Sequence, residues 1–308
     1  MISISHKAKQ FLILAIKLLI VVGAFYFIYN QLATNDKLDW NKFIVLFKKN
    51  QSVGGILFIL FLSFANRFLE ILKWQNLVSS FQTITIGGAT KQVLASLTAG
   101  IFTPNGIGEY AGKTLYFEKN KAKKIIFLNL LCNGIQLILT VVLGTIGLLV
   151  LGYSFWGLVI IFSGFGFWLL AFLSKKIKVK GYSLEKLISK INEIPKNIHQ
   201  KNIVLGIARY LIFSHQYYFL FIAFDVHLPY FTLIATIATV YFLASSLPSF
   251  QFLDFAVKGS VAVYFFSLLG VNEWIVIFVT TLMWFLNVVI PVIIGSFYVL
   301  NFKPQWKS

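Results

Sequence analysis

GGILFILFLSFANRFLEIL, residues 54–72, is long and apolar enough to cross a bilayer, and it carries an arginine, Arg67. A guanidinium surrounded by hydrocarbon costs roughly 2.5–3.5 kcal/mol on insertion scales, so it turns toward a bundle interior or a polar cavity. Of the chain's 27 lysines and arginines only two are arginines, and the second, Arg209, lies in another apolar stretch, Ile203 to Phe224. Arginine differs from lysine in being permanently charged and in presenting a planar fork of donors that fits phosphate or carboxylate oxygens. Two such forks inside apolar segments predict an anionic ligand or partner within a membrane.

The composition agrees. With 58% hydrophobic, 17% aromatic and 12% charged residues, the 308-residue chain cannot build an ordinary soluble surface, and it reads as one all-α, polytopic membrane domain over residues 1–308. The longest polar interval, Lys175 to Asn202, is 28 residues, too short for a sizeable soluble domain. The excess of 27 basic over 10 acidic residues sits beside apolar spans rather than on a soluble basic face, which favours anionic lipid headgroups over nucleic acid. The single cysteine, Cys132, excludes an intramolecular disulfide and reads as a packed small residue.

Working outward, the run Phe11 to Tyr29 follows His6, Lys7 and Lys9 but lacks a small-residue cleavage site, so it is expected to be a retained first helix rather than a signal peptide. Further spans are predicted at Ile125 to Leu151, Phe155 to Leu173, Ile203 to Phe224 and Trp274 to Leu300. Two regions are irregular. In GGATKQVLASLTAGIFTPNGIGEYAGKTLYF, residues 87–117, Lys91, Gln92, Pro104, Asn105 and Glu109 interrupt modest hydrophobicity; in Pro229 to Leu269 the apolar run is broken by LPSFQFLDFAVKGS, with Pro248, Gln251, Asp254 and Lys258. Each reads as two segments meeting at a break, and the six spans together with these two broken hairpins make about eight membrane segments. Irregular backbone at membrane depth is tolerated only where protein or a watered cavity supplies hydrogen bonds, and such breaks often mark a binding site.

Loop charge places the basic junction of Lys113, Lys119, Lys121, Lys123 and Lys124 on the same side as the basic loop from Lys175 to Lys201. If both irregular regions are re-entrant hairpins, the two termini, with Lys303 and Lys307, join that cytoplasmic side, and only Lys37 to Lys49 offends. If the first is a single span and the second is two, the amino terminus lies outside. Spacing also suggests duplication: Pro104 follows Arg67 by 37 residues and Pro248 follows Arg209 by 39, with Glu109 and Asp254 shortly after. In the hairpin arrangement residues 53–152 and 203–300 become an inverted pair, a frequent skeleton of alternating access.

These residues together resemble the flippase-like membrane domain of bacterial lysylphosphatidylglycerol synthases and its standalone relatives. The likeness covers most of the chain and rests on Arg67, on TPNGIGEYAGK with Pro104, Gly106, Gly108 and Glu109, on the basic junction after it, and on the second Pro-centred break. That second break departs from the family's glycine-rich stretch with glutamate, reading PSFQFLDF with Asp254 as its acid. The synthases carry a soluble aminoacyl-transferase domain that this sequence does not contain. The resemblance therefore implies lipid translocation or handling without aminoacylation, in a bacterial cytoplasmic membrane.

The predicted site is thus Arg67 and Arg209 as phosphate ligands, Glu109 and Asp254 as carboxylates that hold them when lipid is absent, and Gly106 and Gly108 as points of close backbone approach. Pro104, Asn105 and Pro248 mark the breaks, where helix amino termini offer free N–H groups to an anion. A simpler role competes at Arg67, since Glu70 lies one helical turn away. Asn129, Asn133 and Gln136 share a helical face suited to interhelical hydrogen bonding, and His215 reads as structural. Leu184, Leu187, Ile188 and Ile191, like Trp40, Phe43, Ile44 and Phe47, follow the spacing of an interfacial helix. No Walker loop, GxSxG, HExxH or clustered metal ligands appear, so neither cofactor nor metal is expected. Two alternatives to lipid handling stay open: a membrane-embedded transferase acting on a lipid-linked substrate, with Glu109 or Asp254 as base, and a non-catalytic membrane subunit. Assembly as a homo-oligomer or with a partner subunit is equally open.

Overall fold

The computed structural model describes residues 52–101, 103–104, 106–175, 177, 183–247 and 254–302, with a few isolated positions before residue 52. The expected first span from Phe11 to Tyr29, the stretch around Trp40, the Lys37 to Lys49 segment, Lys303 and Lys307 otherwise lie outside the described residues, as do Asn105 and Pro248. Every regular element among the described residues is helical: α1 Val53–Val78, α2 Ile86–Gly100, α3 Ile107–Thr114, α4 Ala122–Val150, α5 Ser154–Leu173, α6 Leu184–Asn192, α7 Lys196–Ala223, α8 Tyr230–Ser246, α9 Asp254–Ser267 and α10 Glu273–Leu300.

Four of these, α1, α4 with the 3-10 turn before it, α5 and α10, are long and apolar enough to cross a membrane. α7 has the length, at 28 residues, but Lys196, Lys201, Arg209, His215 and Gln216 dilute its hydrophobicity. α5 makes the case for a lipid environment most directly. Gly157 is its one buried residue among those described, and Phe162, Phe167, Trp168 and Leu170 are exposed along it, a surface water would not tolerate.

The first irregular region is a broken helix, as its composition predicts. α2 and α3 fold back on one another, and small residues set the approach: a Cβ on Gly112 would lie 3.0 Å from the Ser96 hydroxyl oxygen, and one on Gly100 3.0 Å from the Glu109 nitrogen. Gly106, at φ 68°, starts α3 in the left-handed region that glycine alone enters without strain. The second irregular region likewise comprises two helices, α8 and α9.

Packing pairs α1 with α7, α4 with α8, and α2 with α10. The last two pairs use glycines. A Cβ on Gly147 of α4 would sit 2.5 Å from the Ala235 carbonyl oxygen of α8, and one on Gly295 of α10 would overlap the Leu94 carbonyl of α2. Close backbone approach through small residues is how helices associate where hydrocarbon removes the hydrophobic drive. Gly147→Ala is therefore expected to destabilise the bundle by about 1–3 kcal/mol, the cost of overpacking. Thermal unfolding in detergent checks this against Gly164→Ala, whose new methyl meets nothing within 4 Å.

Two apolar cores sit at opposite ends of this arrangement. One gathers Tyr217, Phe221, Leu233, Ile237, Phe266, Val276 and Val279 from α7 to α10; the other gathers Trp74, Leu77, Val93, Ile125 and Leu128 from α1, α2 and α4. Ile59 of α1 joins the first and Ile71 the second, whereas on α7 Tyr217 joins the first and Ile198 the second, so α1 and α7 run antiparallel. Between the cores lies a polar layer.

Candidate functional site: a guanidinium pair at mid-bundle

Arg67, Gln136, Arg209 and Asn287 each fall near the midpoint of their helix, in α1, α4, α7 and α10 respectively. At 1.5 Å per residue each is about 20 Å from either helix end, the depth at which an unpaired charge is most costly in a bilayer. The layer meets that cost with a dense network. Glu70 Oε2 accepts from Arg67 Nη1 and, at 3.2 Å, from Arg209 Nη2, so one carboxylate bridges both guanidiniums.

Three further guanidinium nitrogens find amides. Arg209 Nε donates to Asn66 Oδ1 at 3.1 Å, and Nη1 reaches Gln136 Oε1 at 3.5 Å. Arg67 Nη2 donates to the main-chain carbonyl of Asn287. Asn287 lies in a π turn, Phe285–Val289, and the residue four on is Pro291, which has no N–H to donate to the Asn287 carbonyl and so leaves it to Arg67. Its side chain links outward: Asn66 Nδ2 donates to Oδ1 at 2.7 Å, while its Nδ2 donates to Gln216 Oε1 at 3.0 Å.

This network borders a cavity of about 390 Å³. Arg67, Glu70, Glu109 and Arg209 line it, with amides of Asn133, Gln136 and Asn287 and an aromatic wall that includes Tyr210, Phe213 and Tyr241. The guanidiniums are not sealed away; the side chains of Arg67 and Arg209 retain 13% and 21% of their accessibility. Arg67 Nε, by contrast, is buried without a hydrogen-bond partner. Lys258 of α9 also lines the cavity, its Nζ 4.8 Å from the centroid of Tyr241.

A second buried charge group lies beside the first. Lys113 Nζ is fully buried, donates to Asn129 Oδ1 at 2.6 Å, sits 3.7 Å from Glu109 Oε1 and lies 4.6 Å over the Trp74 ring. Lys73 Nζ donates to the Cys132 carbonyl at 2.9 Å. Among the described residues, five cations (Arg67, Lys73, Lys113, Arg209 and Lys258) thus lie at or beside the cavity with two carboxylates, Glu70 and Glu109.

Several expectations need correction. Glu109 does not hold the arginines; it pairs with Lys113, and Glu70 takes the bridging role. Lys113 does not belong to the basic junction, because it points inward from α3. The start of α3 offers no free N–H groups: the amide nitrogens of Gly106, Ile107 and Glu109 donate to main-chain carbonyls, and that of Gly108 donates to Thr103 Oγ1 at 2.8 Å. Gly108 faces α2, where a Cβ would lie 3.0 Å from the Ala99 carbonyl oxygen. Pro104, Gly106 and Gly108 do not line the cavity. Asp254 opens α9, and the structure describes its backbone position only.

Asn66, Lys73 and Asn287 escaped the sequence reading. Asn66 adjoins Arg67, and Asn287 is a lone amide within a strongly apolar run, a signal that could have found it. His215 bonds to the Leu211 carbonyl and the Tyr230 hydroxyl away from the cavity. Compared with known protein families, curated proteins and solved structures, the chain matches none.

Proposed function

We propose that this chain is a flippase-like, lipid-handling membrane protein whose central cavity receives the phosphate of an anionic phospholipid or lipid-linked headgroup. The observation that carries the reading is the guanidinium pair: two arginines from different helices border one cavity and share a single carboxylate. A phosphate entering there would take donors from both forks and relieve an excess of buried positive charge. The resemblance of TPNGIGEYAGK and Arg67 to the lysylphosphatidylglycerol synthase membrane domain points the same way. On this reading the protein resides in a bacterial cytoplasmic membrane with about eight membrane segments.

An inverted repeat is part of the proposal, and the packing supports it. Exchanging α1 with α7, α2 with α8 and α4 with α10 converts the α2–α10 contact into the α8–α4 contact, each built on a close glycine approach. The same exchange carries Arg67 on Asn287 of α10 into Arg209 on Gln136 of α4. Antiparallel α1 and α7 give the inverted sense, with residues 53–152 and 203–300 as the halves.

The experiment is native mass spectrometry of the gently purified chain, comparing co-purified lipid in wild type, Arg209→Lys and Arg209→Ala. Arg209→Ala is expected to lose the one anionic lipid per chain held in the central cavity by about tenfold or more, whatever is retained elsewhere, and Arg209→Lys to lose most of it although the charge is kept, because the fork is gone. Full retention by a folded Arg209→Ala would overturn the reading. A second reading, a membrane-embedded transferase, is favoured by Glu109 Oε1, which is buried at the cavity without a hydrogen bond. Turnover of a lipid-linked substrate that Glu109→Gln abolishes would select it.

A further inference from the structure

A second cavity, separate from the arginine layer, lies at the basic end of the bundle. α4 and α5 are joined by a tight turn through Gly152, at φ 86°, so the first turns of α4 and the last of α5 lie at one end. α6 attaches there, its Glu185 nitrogen donating to the Lys175 carbonyl at 3.0 Å. Between α6, the start of α4 and the residues Ser174 and Ile177 runs a groove of about 870 Å³. Its floor is apolar, with Ile126, Phe127, Leu130, Ile177, Leu184 and Leu187, and its charged members among the described residues are cations, Lys123, Lys186 and Lys190.

We propose that this groove is a selective site for an anionic glycerophospholipid, distinct from the central cavity and independent of what that cavity binds. The chemistry has two halves. The apolar floor continues into surfaces that face hydrocarbon, since Ile126, Leu130 and Ile177 are 44%, 50% and 63% exposed, so acyl chain reaches it from the side. Lys186 and Lys190, spaced i,i+4 on α6, and Lys123 at the start of α4 bring three ammonium groups to the same groove, with no carboxylate among its described lining residues. A soluble anion would leave the floor uncovered, and a zwitterionic lipid brings no net charge to the cationic lining. An amphipathic helix rich in lysine lying at the headgroup level is the arrangement by which anionic leaflets are recognised.

The test uses the full chain in nanodiscs with phosphatidylglycerol or phosphatidylcholine carrying a photoactivatable group on the acyl chain, the adducts being mapped by mass spectrometry. Phosphatidylglycerol is expected to label residues 126–130 and 184–187. Unlabelled phosphatidylglycerol should compete, while phosphatidylcholine and free glycerophosphoglycerol should not. Lys123→Gln/Lys186→Gln/Lys190→Gln should cut that labelling by more than about tenfold, given roughly fivefold per lysine. All three lysines are exposed, so the variant is expected to fold, and unchanged labelling on α10 verifies it. Equal labelling by phosphatidylcholine, or labelling indifferent to the triple variant, would reduce the groove to ordinary hydrocarbon surface. Competition by free glycerophosphoglycerol would make it a soluble-anion site, and either result overturns the proposal.

Discussion

Glu70→Gln is expected to lose about 3–5 kcal/mol of stability in neutral detergent, the usual cost of removing one partner from a buried ion pair, and to recover much of it when anionic phospholipid is added. Glu70 is the carboxylate that bridges Arg67 and Arg209, so the amide leaves two guanidiniums facing each other across the cavity. An anionic headgroup restores the missing charge at the same place. In the wild type the headgroup must displace the Glu70 carboxylate from both forks; in the variant only a neutral amide oxygen competes. Glu70→Gln should accordingly retain anionic lipid more tightly than wild type, while Arg209→Ala retains less. Thermal unfolding with and without phosphatidylglycerol, paired with native mass spectrometry, separates the two effects. A variant that is destabilised but not rescued would make the triad a structural brace.

How much of this was open to a reader of the sequence depends on the range over which each feature is determined. Local composition announces the apolar helices, and Pro104 and Gly106 announce the first break, because such signals act within a few residues. The two arginines were conspicuous for the same reason. Their partners were not. Glu70 reads as the neighbour of Arg67, one turn along α1, and nothing local indicates that it also reaches Arg209, 139 residues away. Asn287 acts through a carbonyl that Pro291, four residues on, leaves without a helical donor; the proline is visible in the sequence, but that the carbonyl meets Arg67, 220 residues away, is not. Lys113 shows the opposite failure: it stands in sequence near a run of surface lysines, yet the helical phase of α3 carries it into the core. Gly108 was read as room for a ligand, and the room is filled by α2. Sequence thus shows that charges enter the bundle, while their pairing depends on crossings between distant helices.

Lys113→Met tests the second buried charge group and should be nearly as damaging, at about 3–5 kcal/mol, because it strands Glu109 in the interior. The lysine is fully buried, Glu109 Oε1 has no hydrogen bond, and the Asn129 side-chain oxygen Oδ1 accepts from Lys113 at 2.6 Å. The double variant Lys113→Met/Glu109→Gln removes both charges together, and it should be more stable than Lys113→Met alone, with a coupling of about 2 kcal/mol. Thermal unfolding of the four proteins in the cycle measures that term. A coupling near zero would mean that Lys113 serves Asn129 and the Trp74 ring rather than Glu109. A large coupling would mean that the ammonium holds Glu109 at the cavity edge, ready to be released only when another cation, or a proton, takes the place of Lys113.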